Sequence, residues 1–277
     1  MVSRLSFVYA IFEVCEGGLF LPVAKNQSYY FGDDLNTILK YSGKTNEIFT
    51  RMQINLAVFA SGFSPDFLEN LCLLDPVCGK GTALFEALTC GYSAYGLDIN
   101  KKSIDEAAAF FKKYLESGKY KHTLKEEKIS GSGAGGEAFR SQRRLFELSK
   151  NKADKKENKR LVCELLDGDM RNAAKYYKKN TFHIIAGDLA YGIQHENAAG
   201  QSKSRNPVEL ISAALPALKE VLKPKGAIAL SWNLFLLERK KMEDIFEDGG
   251  FELADFGDLS HRVDQAINRD LIIGVKG

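Results

Sequence analysis

Residues 71–88 constrain the fold more than any other stretch of the chain. An apolar run, Leu71 to Leu74, predicts a short buried strand, and the loop Asp75-Pro76-Val77-Cys78-Gly79-Lys80-Gly81-Thr82 follows it. A helical pattern begins directly after the loop, at Ala83. The start of a helix presents N–H groups and the positive end of its dipole, and glycine lets a ligand approach the backbone closely. The stretch therefore predicts a strand, loop and helix that bind a polar cofactor.

A second predicted strand supports this interpretation. Gly91 to Asp98 ends in a carboxylate about one βαβ unit after the first strand. An acidic side chain at that place can accept hydrogen bonds from both hydroxyls of a ribose. Dinucleotide-binding proteins would have a small third residue in the pattern G-x-G-x-x-G/A, and this chain has Leu84 there. The two segments therefore favour a nucleotide cofactor of another kind.

The glycine loop resembles the first motif of class I S-adenosylmethionine-dependent methyltransferases, Asp-Pro-x-Cys-Gly-x-Gly-Thr. The matching residues are Asp75, Pro76, Cys78, Gly79, Gly81 and Thr82. The resemblance implies that these six residues bind S-adenosylmethionine together with Asp98 and Ile99. It also implies an α/β fold, a Rossmann-like doubly wound sheet of seven strands with one antiparallel strand, preceded by a small N-terminal extension.

The third predicted strand, Leu161 to Leu166, leads into an acidic turn, Asp167-Gly168-Asp169-Met170. In the family that the chain resembles, such an aspartate meets the adenine amino group and the backbone of the next residue meets the ring. The resemblance therefore implies that Asp169 and Met170 contact the cofactor. A solvated turn is the alternative for the same residues.

The fourth predicted strand, Phe182 to Gly187, delivers Asp188-Leu189-Ala190-Tyr191-Gly192. This loop resembles the Asp/Asn-Pro-Pro-Tyr/Phe motif of methyltransferases that act on amino nitrogens. A conjugated amine is a poor nucleophile, and acceptors for its two N–H bonds stabilise the charge that develops during transfer. The resemblance implies that Asp188 and the carbonyl of Leu189 are those acceptors and that Tyr191 stacks on the target base. Leu189 and Ala190 replace both prolines, so the rigid backbone that aims the carbonyl is missing.

The remaining elements follow from periodicity and capping residues. A helix from Glu47 to Ala60, capped by Thr45 or Asn46, should place Ile48, Phe49, Met52, Leu56 and Phe59 on one face. A helix capped by Asn100 should bury Ile104, Ala107, Ala108, Phe111 and Leu115. Further helices are predicted after the Asn206 cap and from Glu238 to Asp248, and further strands at Ala227 to Ser231, Phe251 to Phe256 and Leu271 to Lys276, of which the last two pair as an antiparallel hairpin.

The segment 118–160, between the second and third predicted strands, has a different composition. From Lys112 to Arg160 there are fifteen Lys or Arg residues against seven Asp or Glu residues, while the whole chain has a formal net charge of only +2. The segment contains a glycine-rich tract, 131–136, and a basic pattern at Arg140 to Leu148 that predicts a short helix. We interpret it as a basic flexible insertion, which is either a solvated loop or an electrostatic arm for a polyanion.

Composition limits the class of protein. The five cysteines form no C-x-x-C pair and no spacing typical of metal ligands, so we expect a reduced, cytoplasmic protein without a metal. The apolar patch from Phe7 to Phe12 is interrupted by Glu13, and no run reaches membrane-spanning length, so we expect neither a signal peptide nor a membrane partner. We divide the chain into an N-terminal extension, 1–45, and a methyltransferase domain, 46–277.

The order of the motifs resembles the tRNA guanine-N2 methyltransferase group, although the segment before the first motif is too short for the RNA-capture domain of that group. The resemblance implies methylation of an exocyclic amino nitrogen, guanine N2 in tRNA or rRNA. From their positions we expect Asn233, at the end of the fifth strand, to contact a base edge, and Arg262, between the last two strands, to reach the substrate, with a solvated loop as the alternative for Arg262. Three alternatives stay open: a DNA amino-methyltransferase, a protein-glutamine methyltransferase, and a catalytically silent module that binds cofactor or RNA. The sequence does not indicate an oligomeric state.

Overall fold

The chain folds around one large mixed sheet with helices on both faces. The computed structural model describes residues 5–23, 31–32, 34–41, 43–67, 70–133, 136–149, 160–189 and 207–277. Its strands are β1 (Ile11–Val14), β2 (Phe20–Val23), β3 (Cys72–Asp75), β4 (Ser93–Asp98), β5 (His122–Ser132), β6 (Ala138–Leu148), β7 (Leu161–Asp167), β8 (Phe182–Asp188), β9 (Leu222–Asn233), β10 (Phe251–Leu253), β11 (His261–Arg262) and β12 (Asn268–Lys276). Its α-helices are α1 (Asp34–Thr37), α2 (Glu47–Ala60), α3 (Thr82–Thr89), α4 (Lys101–Ser117), α5 (Ala173–Tyr176), α6 (Pro207–Val221) and α7 (Arg239–Asp248).

The sheet has the predicted doubly wound core. Its strand order is β10-β12-β9-β8-β3-β4-β7-β6-β5, and β11 pairs with β12. Strands β7, β4, β3, β8 and β9 are parallel to one another, whereas β12 runs antiparallel to β9 and to β10. The chain winds outward from β3 in both directions, so β3 marks the switch point, where open α/β sheets bind ligands beside the carboxyl ends of their strands.

Two apolar clusters cover the two faces of the sheet. Helices α2, α3 and α4 pack on one face, and helices α5, α6 and α7 pack on the other. The predicted inner side of α4 is confirmed, since Ile104, Ala107, Ala108, Phe111 and Leu115 are all buried. Asn100 caps this helix by accepting a hydrogen bond from the N–H of Ser103 at 3.2 Å.

Within the described residues the sheet has ten strands, three more than predicted. Where the composition predicted a flexible basic insertion with a short helix, residues 122–148 form a hairpin of two eleven-residue strands, β5 and β6, which extends the sheet beyond β7. The helix predicted at Arg140 to Leu148 is therefore wrong. The third additional strand is β11, in the segment between β10 and β12.

The charged residues of the hairpin give it the composition of a solvated segment, but ion pairs hold them against the sheet and α4. Arg143 contacts Glu164 of β7 at 3.1 Å and Glu127 of β5 at 3.2 Å. Arg144 pairs with Asp105 of α4. Side chains that looked like an exposed basic face thus connect the hairpin to the sheet. Since both arginines are neutralised by carboxylates, the hairpin itself supplies little charge for a polyanion.

Helix α2 has the predicted bounds, and of the five apolar residues predicted to share a face, Met52 and Leu56 pack against the core. Asn46 caps it by accepting hydrogen bonds from the N–H groups of Ile48 and Phe49. The residues that the helix buries are Thr50, Gln53, Ile54, Asn55, Ala57 and Val58, while Ile48 and Phe59 are exposed. The polar side chains face inward because they find partners there. Gln53 donates to the backbone carbonyls of Gly187 at 2.8 Å and Ala229 at 2.9 Å.

The N-terminal part divides into a hairpin and a packed segment. Strands β1 and β2 form an antiparallel pair, and most of their apolar side chains are exposed. Phe31 and Leu35, in contrast, belong to the core beside α3. Asn36 of α1 donates to Glu86 of α3 at 2.6 Å. Phe31, Leu35 and Asn36 therefore pack with the core of the predicted domain 46–277, although the predicted boundary assigns them to the N-terminal extension.

None of the helices in the described part of the chain combines the length and the hydropathy that crossing a bilayer requires.

His183 should make folding stability depend on pH. The ring lies in β8, where Nδ1 accepts a hydrogen bond from the N–H of Cys72 at 2.9 Å and Nε2 lies 2.7 Å from Nζ of Lys223. Burial, and secondly the charge of Lys223, lowers the pKa of His183 to about 4. We expect its contribution to the free energy of unfolding to be complete above about pH 6.5 and to fall toward pH 4, because only the unfolded chain then binds the proton.

Urea unfolding of the wild type and of His183→Asn at about pH 7.5 and about pH 5 measures this contribution. The stability difference between wild type and variant should shrink as the pH falls. Lys223→Met serves as a second variant. Removal of the nearby cation should raise the pKa of His183 toward its usual value, so the stability that His183 contributes should be lost over a narrower range of pH. A stability difference that is the same at both pH values would contradict the assignment.

Candidate functional site

The loop between β3 and α3 lies at the carboxyl edge of the sheet. Gly79 and Gly81 both have left-handed backbones, with φ values of 50° and 92°. A Cβ at Gly79 would meet no atom of the described residues within 4 Å, so among these residues the space directly above this backbone is open to a ligand. A Cβ at Gly81 would lie 3.1 Å from the ring of Phe85, which packs beneath the loop.

Asp98, at the end of β4, holds the glycine loop from its side. One carboxylate oxygen accepts a hydrogen bond from the N–H of Gly79 at 2.8 Å, and the other accepts from the N–H of Asn100 at 2.7 Å. The ends of β3 and β4 are thereby joined through one carboxylate, and the predicted contact of Asp98 with a ribose stays a prediction. Ile99, the next residue, is exposed beside the loop.

Asp75 ends β3 in the middle of the same edge. Its side chain is buried and accepts a hydrogen bond from the N–H of Val77 at 3.0 Å. Burial, followed by the nearby charges of Asp98 and Asp188, raises the pKa of the Asp75 carboxyl well above its usual range. Gly187 allows this crowding, because a Cβ there would lie 2.9 Å from the Asp75 carboxylate.

The other residues of the first motif fasten the loop. Cys78 is buried against Gly96 of β4, where a Cβ would lie 2.7 Å from its sulfur atom. Pro76 is buried next to Gly187. Thr82 opens α3 and shares a hydrogen bond of 2.8 Å with the hydroxyl of Tyr41. The sequence analysis did not single out Tyr41, because only the fold brings it to the motif.

The end of β7 contributes the predicted third acidic position. Asp169 accepts hydrogen bonds from the backbone N–H of Arg171 at 2.9 Å and from the guanidinium group of the same residue. Met170 is buried in the core beneath the turn. Asp169 thus stabilises its own turn, and the predicted contacts of both residues with a cofactor stay predictions.

Asp188 closes the row of carboxylates at the end of β8, and three donors converge on it. Thr45 donates to Oδ2 at 2.6 Å, Arg269 donates to the same oxygen at 3.1 Å, and Ser231 donates to Oδ1 at 2.6 Å. The donors come from the segment before α2, from β12 and from β9. The motif after β8 points to Asp188, whereas no sequence pattern points to its three partners.

Phe49 contacts both Arg269, the partner of Asp188, and His261 of β11. The guanidinium carbon of Arg269 lies 4.7 Å from the centre of its ring, a cation–π distance. On the other side the ring packs against His261 of β11, with ring centres 5.0 Å apart. Helix α2 therefore lies next to Asp188 and its partner Arg269.

The predicted substrate residues have different surroundings. Asn233 uses its side chain within the protein, donating to Ala266 and accepting from the N–H groups of Phe235 and Asn268. Arg262 is exposed and lies over the ring of Phe235 at 5.6 Å. The structure thus gives Asn233 a role in holding the rim, and a contact of either residue with substrate stays a prediction.

The loop after β8 begins with a backbone hydrogen bond. The N–H of Leu189 donates to the carbonyl of Ser231 at 2.9 Å, and the side chain is buried beside Ile211 and Trp232. Tyr191, the predicted stacking residue, lies outside the described residues, as do Ala190 and the predicted cap Asn206.

The arrangement suits a polar, partly cationic ligand. Backbone N–H groups at the start of α3 favour a carboxylate, whereas Asp75, Asp98 and Asp188 make the neighbouring edge acidic. A ligand that combines a carboxylate, a ribose and a positive centre would suit both the start of α3 and the acidic edge. Among the described residues, no group of three side chains has the arrangement of a metal site.

Comparison with known proteins identifies the fold. No family model and no curated protein sequence matches the chain. TrmN from Thermus thermophilus superposes with a TM-score of 0.50 at 16% identity, over 85% of this chain and 50% of TrmN, so the match spans half the length of that protein. Magnesium protoporphyrin IX methyltransferase (ChlM) from Synechocystis PCC 6803, with bound SAM, has a TM-score of 0.46 at 15% identity, over 86% of this chain and 87% of ChlM. The chain has the Rossmann-like fold of class I S-adenosylmethionine-dependent methyltransferases, as its motifs predicted.

Proposed function

We propose that the chain is an S-adenosylmethionine-dependent methyltransferase that acts on an exocyclic amino nitrogen, guanine N2 in RNA. The observation that carries the proposal is the row of carboxylates along one sheet edge, with an open left-handed glycine at one end and Asp188 at the other. The first part fits the cofactor, and the second part fits the group that accepts the methyl. Each part depends on different residues, so each can be tested separately.

The cofactor end has the chemistry that S-adenosylmethionine requires. A Cβ at Gly79 would fill the space above the loop, so the glycine keeps room for the ligand. Asp98 stands beside that space as an acceptor for ribose hydroxyls, and the start of α3 favours the amino-acid carboxylate. When bound, the cofactor supplies an electrophilic methyl group on a positively charged sulfur, which the acidic edge around Asp75 and Asp188 attracts.

The acceptor end has the chemistry that a flat amine requires. Asp188, on the strand next to β3, can accept a hydrogen bond from an amino N–H and stabilise the positive charge that grows on nitrogen during transfer. Holding the amine beside the cofactor converts an encounter into an in-line displacement at the methyl carbon. We infer no covalent intermediate with the chain.

The assignment to RNA rests on the D-x-x-Y-G loop and on the basic surplus of the segment 112–160. The described hairpin in this segment holds five of its fifteen basic residues, against four acidic ones. Most of the surplus therefore lies in the segments that flank the hairpin. A polyanion would contact the protein there rather than along β5 and β6.

Methyl transfer from labelled S-adenosylmethionine to bulk RNA tests the proposed function. We expect N2-methylguanosine among the labelled nucleosides, and no label in DNA. Asp188→Ala should lower turnover at least about 100-fold because the amine loses its acceptor, while cofactor affinity changes only a few-fold. Asp98→Ala should mainly weaken cofactor binding, because this side chain positions the glycine loop.

The outcomes separate the alternatives. Label in DNA alone would identify a DNA amino-methyltransferase, and label in protein glutamine would identify a protein methyltransferase. Cofactor binding without any transfer would identify the silent module. Full turnover in Asp188→Ala would place the acceptor chemistry elsewhere.

Two glycines with the same backbone form a matched pair for the cofactor site. Gly79 and Gly257 both have positive φ and open space at the Cβ position, but Gly257 lies in the segment after β10. Alanine at either position should cost about 1 kcal/mol of stability from the left-handed backbone.

Calorimetric titration with S-adenosylhomocysteine distinguishes the two variants. Gly79→Ala should weaken binding by about tenfold or more because its methyl group occupies the ligand space, whereas Gly257→Ala should bind like the wild type. Equal affinities in the two variants would contradict the placement of the cofactor above Gly79.

A further inference from the structure

Arg269 is the only cation within 4 Å of Asp188 in the described part of the chain, and both groups are largely withdrawn from water. The side chain of Arg269 is 6% exposed and that of Asp188 is 15% exposed. A buried ion pair is weak evidence for stability, because the loss of hydration opposes the attraction between the charges. Stability alone therefore does not explain why Arg269 and Asp188 form an ion pair at this place.

We propose that Arg269 is a positioning residue, which fixes the Asp188 carboxylate for the acceptor amine and takes over the role of the missing prolines. This inference rests on the proposed function, because it gives Asp188 the acceptor role stated there. It adds a residue that no sequence motif assigned to the site.

The geometry fixes the carboxylate at both oxygens. Arg269 and Thr45 hold Oδ2, and Ser231 holds Oδ1 from the neighbouring strand. A carboxylate has about four acceptor positions, so one remains for a donor that the described residues do not supply. An incoming N–H group would thus meet an oxygen whose direction is already set.

The guanidinium group of Arg269 is itself held in place. The ring of Phe49 lies beneath it at 4.7 Å, and residue 269 pairs with Asn233 and His261 on the two neighbouring strands. A planar guanidinium can stack on a ring and bind a carboxylate at the same time, which a lysine ammonium does less well. The orientation of Asp188 therefore depends on Phe49 and on the two strands that neighbour Arg269.

The backbone after Asp188 is fixed by a bond that proline would abolish. The N–H of Leu189 donates to the carbonyl of Ser231, and proline has no N–H to donate. The strand pairing of β8 with β9 thus continues through Asp188. A hydrogen bond and an ion pair thus restrict Leu189 and Asp188, where the resembled motif uses rigid rings.

Kinetics of Arg269→Gln test the proposal. We expect kcat for methyl transfer to fall by about 100-fold through loss of orientation, while the KM for RNA and the affinity for S-adenosylhomocysteine stay within about threefold. Arg269→Lys should recover part of the loss, since it keeps the charge without the planar fork.

Arg239→Gln is the matched control. Arg239 pairs with Asp270, the next residue along β12, whose side chain is 1% exposed, at 2.9 Å. Both variants break an ion pair in which one partner lies on β12 and the carboxylate is largely withdrawn from water, so both should lower the melting temperature. Only Arg269→Gln should lower kcat at a temperature where both variants are folded. Equal losses of kcat, or an unchanged kcat in Arg269→Gln, would overturn the proposal.

Crystal structures of the wild type and of Arg269→Gln give a readout that does not require activity. We expect one orientation of the Asp188 carboxylate in the wild type, and a second orientation or a turn away from Ser231 in the variant. If the wild type methylates no acceptor, the proposed function fails, and these structures still decide whether Arg269 orients Asp188. An unchanged carboxylate in the variant would refute the inference.

Discussion

Repulsion between carboxylates at one edge of a parallel sheet is the constraint on which the site depends. Asp75, Asp98 and Asp188 end three adjacent strands, and burial, followed by the nearby charges of Asp98 and Asp188, raises the pKa of the Asp75 carboxyl. The chain balances this repulsion locally, with backbone N–H groups at Asp98 and with an arginine and two hydroxyls at Asp188. An acidic edge of this kind is costly without a ligand and favourable for a cationic one.

The fold was predictable where local patterns agree with the final environment. The parallel core and the inner side of α4 follow from apolar runs, capping residues and strand-end carboxylates, all of which are local signals. Prediction failed where tertiary contacts reverse the local preference. Arg143 and Arg144 look solvated but pair with buried or neighbouring carboxylates, and Gln53 of α2 faces the core because strand carbonyls accept its amide hydrogens.

The same distinction between local and tertiary signals applies to the residues of the site. Residues that lie within a motif, such as Gly79, Asp98 and Asp188, could be found because their role follows from their place between a strand and a turn. Thr45, Ser231 and Arg269 could not, because their distances from Asp188 along the chain are 143, 43 and 81 residues. Strand register brings Ser231 and Arg269 to Asp188, and the packing of the segment before α2 brings Thr45 there. The unusual Leu189 was the one available signal, since a loop without prolines requires restraint from elsewhere.

A crystal structure with S-adenosylhomocysteine tests the central claim most directly. The account predicts that the ligand lies over Gly79, with its ribose hydroxyls on Asp98 and its sulfur facing the space beside Asp188. A ligand bound elsewhere, or protein side chains filling the space above Gly79, would contradict it.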